Sequence, residues 1–340
     1  MSQAHATLLL NQRLVGMRRL VCLLLAVQCF SVCNSSAEES AAPPGARLVH
    51  IWSDGTRMAG DLYVPADLKE GEKRPAILFC AGTGGTKKNN GHLYGERFVK
   101  EGFVVLAFDY RGWGVSDPKL MMTGPLPKPD EKGEVTVKAK PIRWQMDLAD
   151  QTLDIRCALS FLSGEPCVDA TRLGIFGTSY GGGLVTWVAG NDPRVKCVVA
   201  QVPGMGGGRG PAALKYAYEL SMKQARGETE PVPIETGKLS GKMASYAQMR
   251  VNPAKSLGYV PVEAAKKITA PMLITVAEKE DLMSNDDNGK AVFDILTKNN
   301  VPSEYHVIPG IAHYGVYSGA GFEEATKLAV AWFRKYLELP

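Results

Sequence analysis

Apolar residues in this chain gather into short, nearly continuous stretches, separated by segments in which apolar positions recur at helical spacing. Two stretches, Leu48–Trp52 and Met58–Val64, flank Asp54-Gly55, a dipeptide that favours a two-residue hairpin turn. Six more follow at Ala76–Cys80, Phe103–Phe108, Leu173–Phe176, Val195–Val202, Met272–Val276 and Tyr305–Ile308. The spacing between them predicts helices around Leu93–Glu101, Trp144–Leu162 and Leu184–Ala189, and over about 287–298 and 322–337. Strands that are apolar throughout have both faces buried. Their alternation with helices predicts an α/β fold, with a mostly parallel sheet covered on both sides. Two segments interrupt the alternation. Residues 117–143 are rich in Pro and Lys and are expected to be irregular. Residues 204–268 are polar, with Gly and Lys among helical patterns, and are expected to form an inserted cap.

The N-terminus follows a different pattern. Leu20–Val32 is an apolar run of 13 residues, too short for the roughly 20 that span a bilayer. Arg18 and Arg19 precede it and the small residues Ser35-Ser36-Ala37 follow, the order of a secretory signal peptide. Residues 1–37 are therefore expected to be a signal peptide cleaved after Ala37, with translation starting at Met1 or at Met17. The branched Val32 before Cys33 argues against a lipoprotein, which needs a small residue there. No later segment reaches 18 consecutive apolar residues. Residues 38–340 are thus expected to form one domain with no membrane span, secreted or periplasmic.

Composition narrows the classes. With 45% hydrophobic and 22% charged residues the chain is no disordered one. Its 39 Lys plus Arg face 35 Asp plus Glu, a net +4 with no basic cluster, so no nucleic-acid partner is expected. Arg13, Arg18 and Arg19 fall in the leader and no acid does, so its removal takes the net charge from +4 to +1. Removal also takes Cys22, Cys29 and Cys33 of the seven cysteines. Cys80, Cys157, Cys167 and Cys197 lie in or beside core elements and read as buried thiols, with a disulfide among them left open by export. The cysteines form no metal-ligand array.

The chemistry concentrates in Gly177-Thr178-Ser179-Tyr180-Gly181, which fits G-x-S-x-G between an apolar strand and a helix. A sharp strand-to-helix turn forces the serine into a strained backbone conformation, and only small residues two before and two after let the chain pass. The turn aims the N-terminus of the following helix at the site, where it favours developing negative charge. A serine hydroxyl needs a base within hydrogen-bond reach. Of the five histidines, His5 is in the leader, His50 in the hairpin, His92 near a helix start and His306 inside the last strand pattern. His313 lies just past that strand, in a loop that can reach the carboxyl ends of the strands, where sites of open α/β sheets assemble. The base needs a carboxylate to orient it. Glu278, Glu280 and Asp281 follow the Met272–Val276 strand, and spacing alone leaves the choice open.

Five stretches carry a family resemblance: Gly60-Asp61-Leu62-Tyr63-Val64-Pro65, Gly82-Thr83-Gly84-Gly85, Asp109-Tyr110-Arg111-Gly112-Trp113-Gly114-Val115-Ser116, the residues from Gly177 to Gly183, and the loop from Ile308 to Tyr314. Over roughly residues 46 to 338 the chain resembles an α/β-hydrolase of the dienelactone hydrolase and Xaa-Pro dipeptidyl-peptidase (S15-like) branch. The resemblance implies a mostly parallel eight-stranded sheet. It implies an acid three residues after a glycine that ends the strand. Ala277 takes that glycine's place, which puts Glu280 in register, with Asp281 as the alternative. It further implies an oxyanion hole from the backbone amides of Tyr180 and Thr83. Asp109 and Arg111 are expected to brace the strand end beside the elbow, and Trp113 and Ser116 are candidates for the cleft wall. Gly206-Gly207-Gly208-Arg209-Gly210 lacks the spacing of a phosphate loop and is read as a hinge into the cap.

The expected protein is an exported serine hydrolase acting on carboxylic esters, with Ser179 as nucleophile, His313 as base and Glu280 (or Asp281) as the orienting acid. No metal or organic cofactor is expected, and the partner is a small-molecule ester or a short acyl or peptide substrate. The alternatives are an Xaa-Pro-type or acyl-peptide serine peptidase, and a non-catalytic binding member of the fold. N-terminal sequencing of the protein recovered from an exporting host should read from Glu38, and an intact leader on the recovered protein would contradict the signal peptide.

Overall fold

The structure is a computed structural model that describes residues 41–206, 210–229, 234–235 and 249–339. The expected signal peptide at 1–37 and Arg209 lie outside the described residues. All eight apolar stretches become strands of one sheet: β1 (Ala46–Ser53), β2 (Thr56–Tyr63), β3 (Arg74–Cys80), β4 (Val104–Phe108), β5 (Val168–Thr178), β6 (Val195–Gln201), β7 (Met272–Ala277) and β8 (Ser303–Ile308). Their order across the sheet is β1-β2-β4-β3-β5-β6-β7-β8. β1 pairs antiparallel with β2, and β2 with β4. Every other pairing in the sheet is parallel. The β1–β2 turn places both Asp54 and Gly55 at positive φ, 48° and 73°, the twist that a two-residue hairpin requires.

Continuous apolar runs mark the middle of the sheet because helices cover both faces there. Every residue of β4 and β7 is buried. The helices of two turns or more among the described residues are α1 (His92–Val99), α2 (Leu148–Gly164), α3 (Tyr180–Ala189), α4 (Pro211–Ala225), α5 (Ala291–Lys298) and α6 (Gly319–Tyr336). On one side α1 and α6 meet through Phe98 and Phe333, edge to face at 5.9 Å. Phe79 of β3 and Phe176 of β5 extend that aromatic cluster to Tyr94 at 4.9 and 4.8 Å, separations at which ring pairs add to simple burial. On the other side α2 packs on α3 and on β1, β3 and β5. Among the described residues no helix is long and apolar enough to cross a membrane.

Three expectations change. Residues 117–143 are not wholly irregular: Lys119–Met122 pairs antiparallel with Ala139–Ile142. The ribbon buries neither face, so no apolar alternation announces it. The helix expected from Trp144 starts at Leu148, because Trp144 has φ 56° and Gln145–Met146 pairs with Arg250–Val251. Asp147 caps that helix by accepting from the Asp150 amide, the usual way to satisfy a first-turn donor. The helix expected at Leu184–Ala189 begins at Tyr180, directly after Ser179, since three glycines hide its first turn from an apolar pattern.

Between β6 and β7 the chain leaves through α4, which buries only Ala217 and Leu220, and returns through Arg250–Val251. Both departures from the sheet are tied to the first turn of α2. Lys119 reaches Asp150 at 2.6 Å, and Lys255 reaches Asp147 at 2.7 Å.

Trp113 and Ser116 do not line a cleft. Both are fully buried. The indole N–H of Trp113 donates to the Gln145 carbonyl at 2.6 Å, and the Ser116 hydroxyl donates to the Asp109 carbonyl at 2.6 Å. A buried indole or hydroxyl must find a partner, and these two find theirs in main-chain carbonyls, Trp113 just before α2 and Ser116 in the turn after β4. Asp109 and Arg111 brace the same turn. Asp109 accepts from the amides of Lys87 and Val115, and Arg111 donates to Asp154 at 2.7 Å and to Ser53 at 2.6 Å. Of the four cysteines among the described residues, all are free thiols; Cys80 and Cys197 are buried and Cys157 and Cys167 half-buried. Asp154 is fully buried against Arg111, so Asp154→Ala strands a guanidinium in the interior. Urea unfolding of that variant should show a loss of about 3–5 kcal/mol, and a loss below 1 kcal/mol would remove the pair from the set of bracing contacts.

Candidate active site

The site is built where β5 runs into α3. Ser179 has φ 53° and ψ −120°, a region that L side chains adopt only when their surroundings impose it. Three backbone bonds impose it here. The Ser179 amide donates to the Gln201 carbonyl at 2.8 Å, and the Ser179 carbonyl accepts from Gly182 and Gly204 at 2.9 Å each. The flanking glycines are required by contact. A Cβ on Gly177 would stand 2.3 Å from the Gly181 carbonyl oxygen, and one on Gly181 would stand 2.3 Å from the Cys80 carbonyl oxygen. Ser179 is thereby pushed forward at the head of α3, close to the surface although 8% exposed.

His313 opens a short 3-10 turn after β8 and is fully buried. Its Nε2 lies 3.0 Å from Ser179 Oγ, and its Nδ1 lies 2.9 Å from both carboxylate oxygens of Glu280. A carboxylate can only accept, so Nδ1 carries the proton and donates to Glu280. Nε2 is then left with a lone pair toward the serine hydroxyl.

The three acids after β7 have separate partners. Glu278 accepts from the Gly310 amide at 2.7 Å, Glu280 faces the imidazole, and Asp281 accepts from the His313 amide at 3.3 Å. Two backbone bonds, Glu278 to Ile308 and Lys279 to Ile311, zip the same loops together. The structure therefore brings Ser179, His313 and Glu280 into contact and puts Asp281 on the main chain behind them.

Beside Ser179 the chain after β3 makes a tight turn, in which the Gly85 amide donates to the Gly82 carbonyl at 3.0 Å and Gly84 has φ 73°. A Cβ on Gly82 would touch Ser179 Cβ at 3.1 Å. The expected oxyanion donors sit on the two sides of this contact: Thr83 in the turn, and Tyr180 as the first residue of α3, whose amide has no earlier turn to bond to. A cleft of about 300 Å³ opens here, walled by the Gly82–Gly85 turn, Asn89, Asn90, Ser179, Tyr314 and Tyr317. The Tyr317 hydroxyl pairs with Thr178 Oγ1 at 2.8 Å, and Gln201 extends the chain to the Tyr94 hydroxyl at 2.6 Å. Burial pushes the Tyr317 phenol up to about 12, so it stays neutral. Asn89, Asn90 and Tyr317 were not visible as site residues in the sequence. His306, by contrast, lies on the edge strand β8, partly exposed and beside Glu304 at 2.9 Å. Among the described residues no group of three or more His, Cys, Asp or Glu side chains could hold a metal ion.

The strand order and the serine elbow at the head of α3 are those of the α/β-hydrolase class of serine hydrolases. Within that class the chain belongs to the prolyl oligopeptidase family, whose family model matches residues 144–339. The model of the X-Pro dipeptidyl-peptidase (S15) family matches residues 54–213. An uncharacterized 31.7 kDa Escherichia coli protein of the traX-finO intergenic region is 27% identical over 289 residues, covering 78% of this chain and 92% of its own length. The quorum-quenching protein AidA of Acinetobacter baumannii is 24% identical over 292 residues, 77% of this chain and 86% of its own. The crystal structure of the α/β hydrolase GrgF from a Penicillium species superposes with a TM-score of 0.67 at 18% identity, over 86% of this chain and 99% of GrgF.

Because the Gly181 Cβ position is blocked by main chain, Gly181→Ala must displace β3 or the elbow. Denaturant unfolding should report a loss of about 1–3 kcal/mol. Wild-type stability in this variant would mean that the elbow is looser than its contacts indicate.

Proposed function

We propose that this hydrolase cleaves carboxylic esters through an acyl-enzyme, with Ser179 as nucleophile, His313 as general base and acid, and Glu280 as the group that orients the imidazole. The observation that carries this reading is the unbroken hydrogen-bonded run from Glu280 through His313 to Ser179, at 2.9 and 3.0 Å. As Ser179 Oγ attacks the ester carbonyl, its proton passes to Nε2, and the imidazolium is stabilised by Glu280. Negative charge develops on the carbonyl oxygen, where the Tyr180 and Thr83 amides would each contribute about 3 kcal/mol. Collapse of the tetrahedral adduct breaks the bond to the leaving oxygen, which takes the proton from Nε2 and departs as an alcohol. Water then gives a proton to Nε2 as it attacks the acyl-enzyme, and the returning proton restores Ser179 as the acid product leaves.

An ester is favoured over a peptide by the cleft beside Ser179. Its described walls carry neutral groups, the Asn89 and Asn90 amides and the Tyr314 and Tyr317 phenols. A dipeptidyl-type peptidase needs an acidic anchor for the substrate's free amino terminus. The second reading, a peptidase with the same three residues, is favoured by the two matching families, both named for peptidases. A panel of short acyl esters against dipeptide amides separates the two.

In that panel Ser179→Ala should lower kcat on short p-nitrophenyl esters by at least ~10³-fold. Undiminished hydrolysis by the purified variant would end the serine mechanism. Glu280→Gln should cost on the order of 10⁴-fold in kcat. Asp281→Asn alters the acceptor of the His313 amide and leaves the Glu280–imidazole contact in place, and should cost about tenfold or less. The reverse ranking would reassign the acid.

A further inference from the structure

Behind the Gly82–Gly85 turn lies an ion pair that the chemistry above does not use. Lys87 follows the turn at the entry to α1, and its side chain is 2% exposed. Its Nζ donates to Asp61 Oδ1 of β2 at 2.8 Å, and the Asp61 side chain is 1% exposed. The Lys87 amide donates at 2.6 Å to Asp109, the residue that follows β4. One residue is thus tied by its main chain to the end of β4 and by its side chain to the neighbouring β2. Upstream of it, three glycines in four residues give the turn more conformational freedom than any other composition would.

A pair buried this deeply is an expensive way to fill space. Two apolar side chains of similar volume are commonly as stable or more so, because both charges must leave water. The pair is also incompletely satisfied: Asp61 Oδ2 is buried with no hydrogen-bond partner among the described residues. Burial pushes the Asp61 carboxyl above its usual range despite the opposing pull of Lys87. What such a pair does supply is a single geometry, since an ammonium in the interior has one place to go.

We infer that the buried Lys87–Asp61 pair is a positioning device: it fixes the far end of the Gly82–Gly85 turn so that the Thr83 amide points at the oxygen of the reacting carbonyl. The inference rests on the serine-hydrolase reading. Lys87 touches no reacting atom and acts through the three residues between it and Thr83, Gly84, Gly85 and Thr86. Asp109 holds the same end through the Lys87 amide, and Thr86 closes it locally by donating its own amide to Asn89 Oδ1 at 2.7 Å. The cleft wall at Asn89 and the oxyanion donor at Thr83 are therefore set by one anchor.

The test compares wild type, Ser179→Ala, Lys87→Met and the double variant Asp61→Leu/Lys87→Met, with p-nitrophenyl acetate and its thionoester as substrates. Lys87→Met alone leaves the Asp61 carboxyl buried without its partner and is expected to be unstable. The double variant removes both charges and should unfold at wild-type denaturant concentration or above. It should nevertheless lose about tenfold or more in kcat, a fraction of what deletion of an oxyanion donor costs, with KM within about twofold, since ground-state binding does not use that donor. Its preference for the oxo ester over the thionoester should shrink by a similar factor, because sulfur accepts hydrogen bonds poorly and a misplaced donor no longer tells the two apart. Wild-type kcat in a stable double variant overturns the inference. So does a lost kcat with an unchanged oxo-to-thiono preference, and so does a double variant that fails to fold, which would make the pair an element of stability. If Ser179→Ala retains full activity, the serine mechanism itself falls and takes this inference with it. If Ser179→Ala is inactive, the double variant judges the positioning role alone.

Discussion

Ser179 stands at φ 53° and ψ −120°, and most of the surrounding architecture exists to hold it there. A residue in this region costs of order 1–3 kcal/mol, so the conformation persists only because neighbours over-determine it. Its amide is taken by β6, its carbonyl by Gly182 and Gly204, and its flanks by glycines too close to other main chain to carry a Cβ. Val202, the residue just past β6 after the acceptor Gln201, is itself at φ 38° and is held by a 2.7 Å bond from its amide to the Thr275 carbonyl. The strain is therefore shared by three neighbouring parallel strands. A sheet buried on both faces can carry it, because its strands have nowhere else to move.

The loops after β7 and β8 solve a different problem, the placing of a fully buried imidazole. Burying a polar ring is favourable only when both nitrogens are satisfied. Here Glu280 and Ser179 satisfy them, while Glu278 and Asp281 are spent on main-chain amides of the histidine loop. Two of the three acids thus make the loop rigid so that the third can meet the ring. On the opposite side of the serine the glycine turn has no such density of bonds within itself, and its order comes from Lys87, Asp61 and Asp109. The two walls of the site are held by charged groups placed outside the cleft, which leaves its described lining neutral.

The two insertions share an anchor as well. Lys119 from the ribbon and Lys255 from the chain returning to β7 converge on Asp147 and Asp150 at the start of α2. The Lys119 and Lys255 ammonium groups hold the Asp150 carboxyl below its ordinary value against the effect of burial. Both segments are thereby tethered to one turn of a helix packed on the sheet.

What the sequence by itself determined is whatever depends on local sterics and period. Eight apolar runs gave eight strands, and the inner ones such as β4 and β7 are apolar at nearly every position because both their faces are covered. G-x-S-x-G marked the elbow, because only glycine clears the carbonyls at Gly177 and Gly181. His313 stood out by its place just beyond the last strand. The tertiary structure decided what local pattern leaves degenerate. Glu278, Glu280 and Asp281 are interchangeable in spacing, and only the bonds zipping the β7 and β8 loops turn one of them to the imidazole. Trp113 and Ser116 looked like cleft residues beside a glycine-rich turn, yet their donors had to be satisfied in the interior. The roles of Tyr317 and of the Lys87–Asp61 pair were not legible, since each acquires its partner from a strand or loop distant in the chain. A side chain's period is written in its neighbours, but its partner is set by the fold.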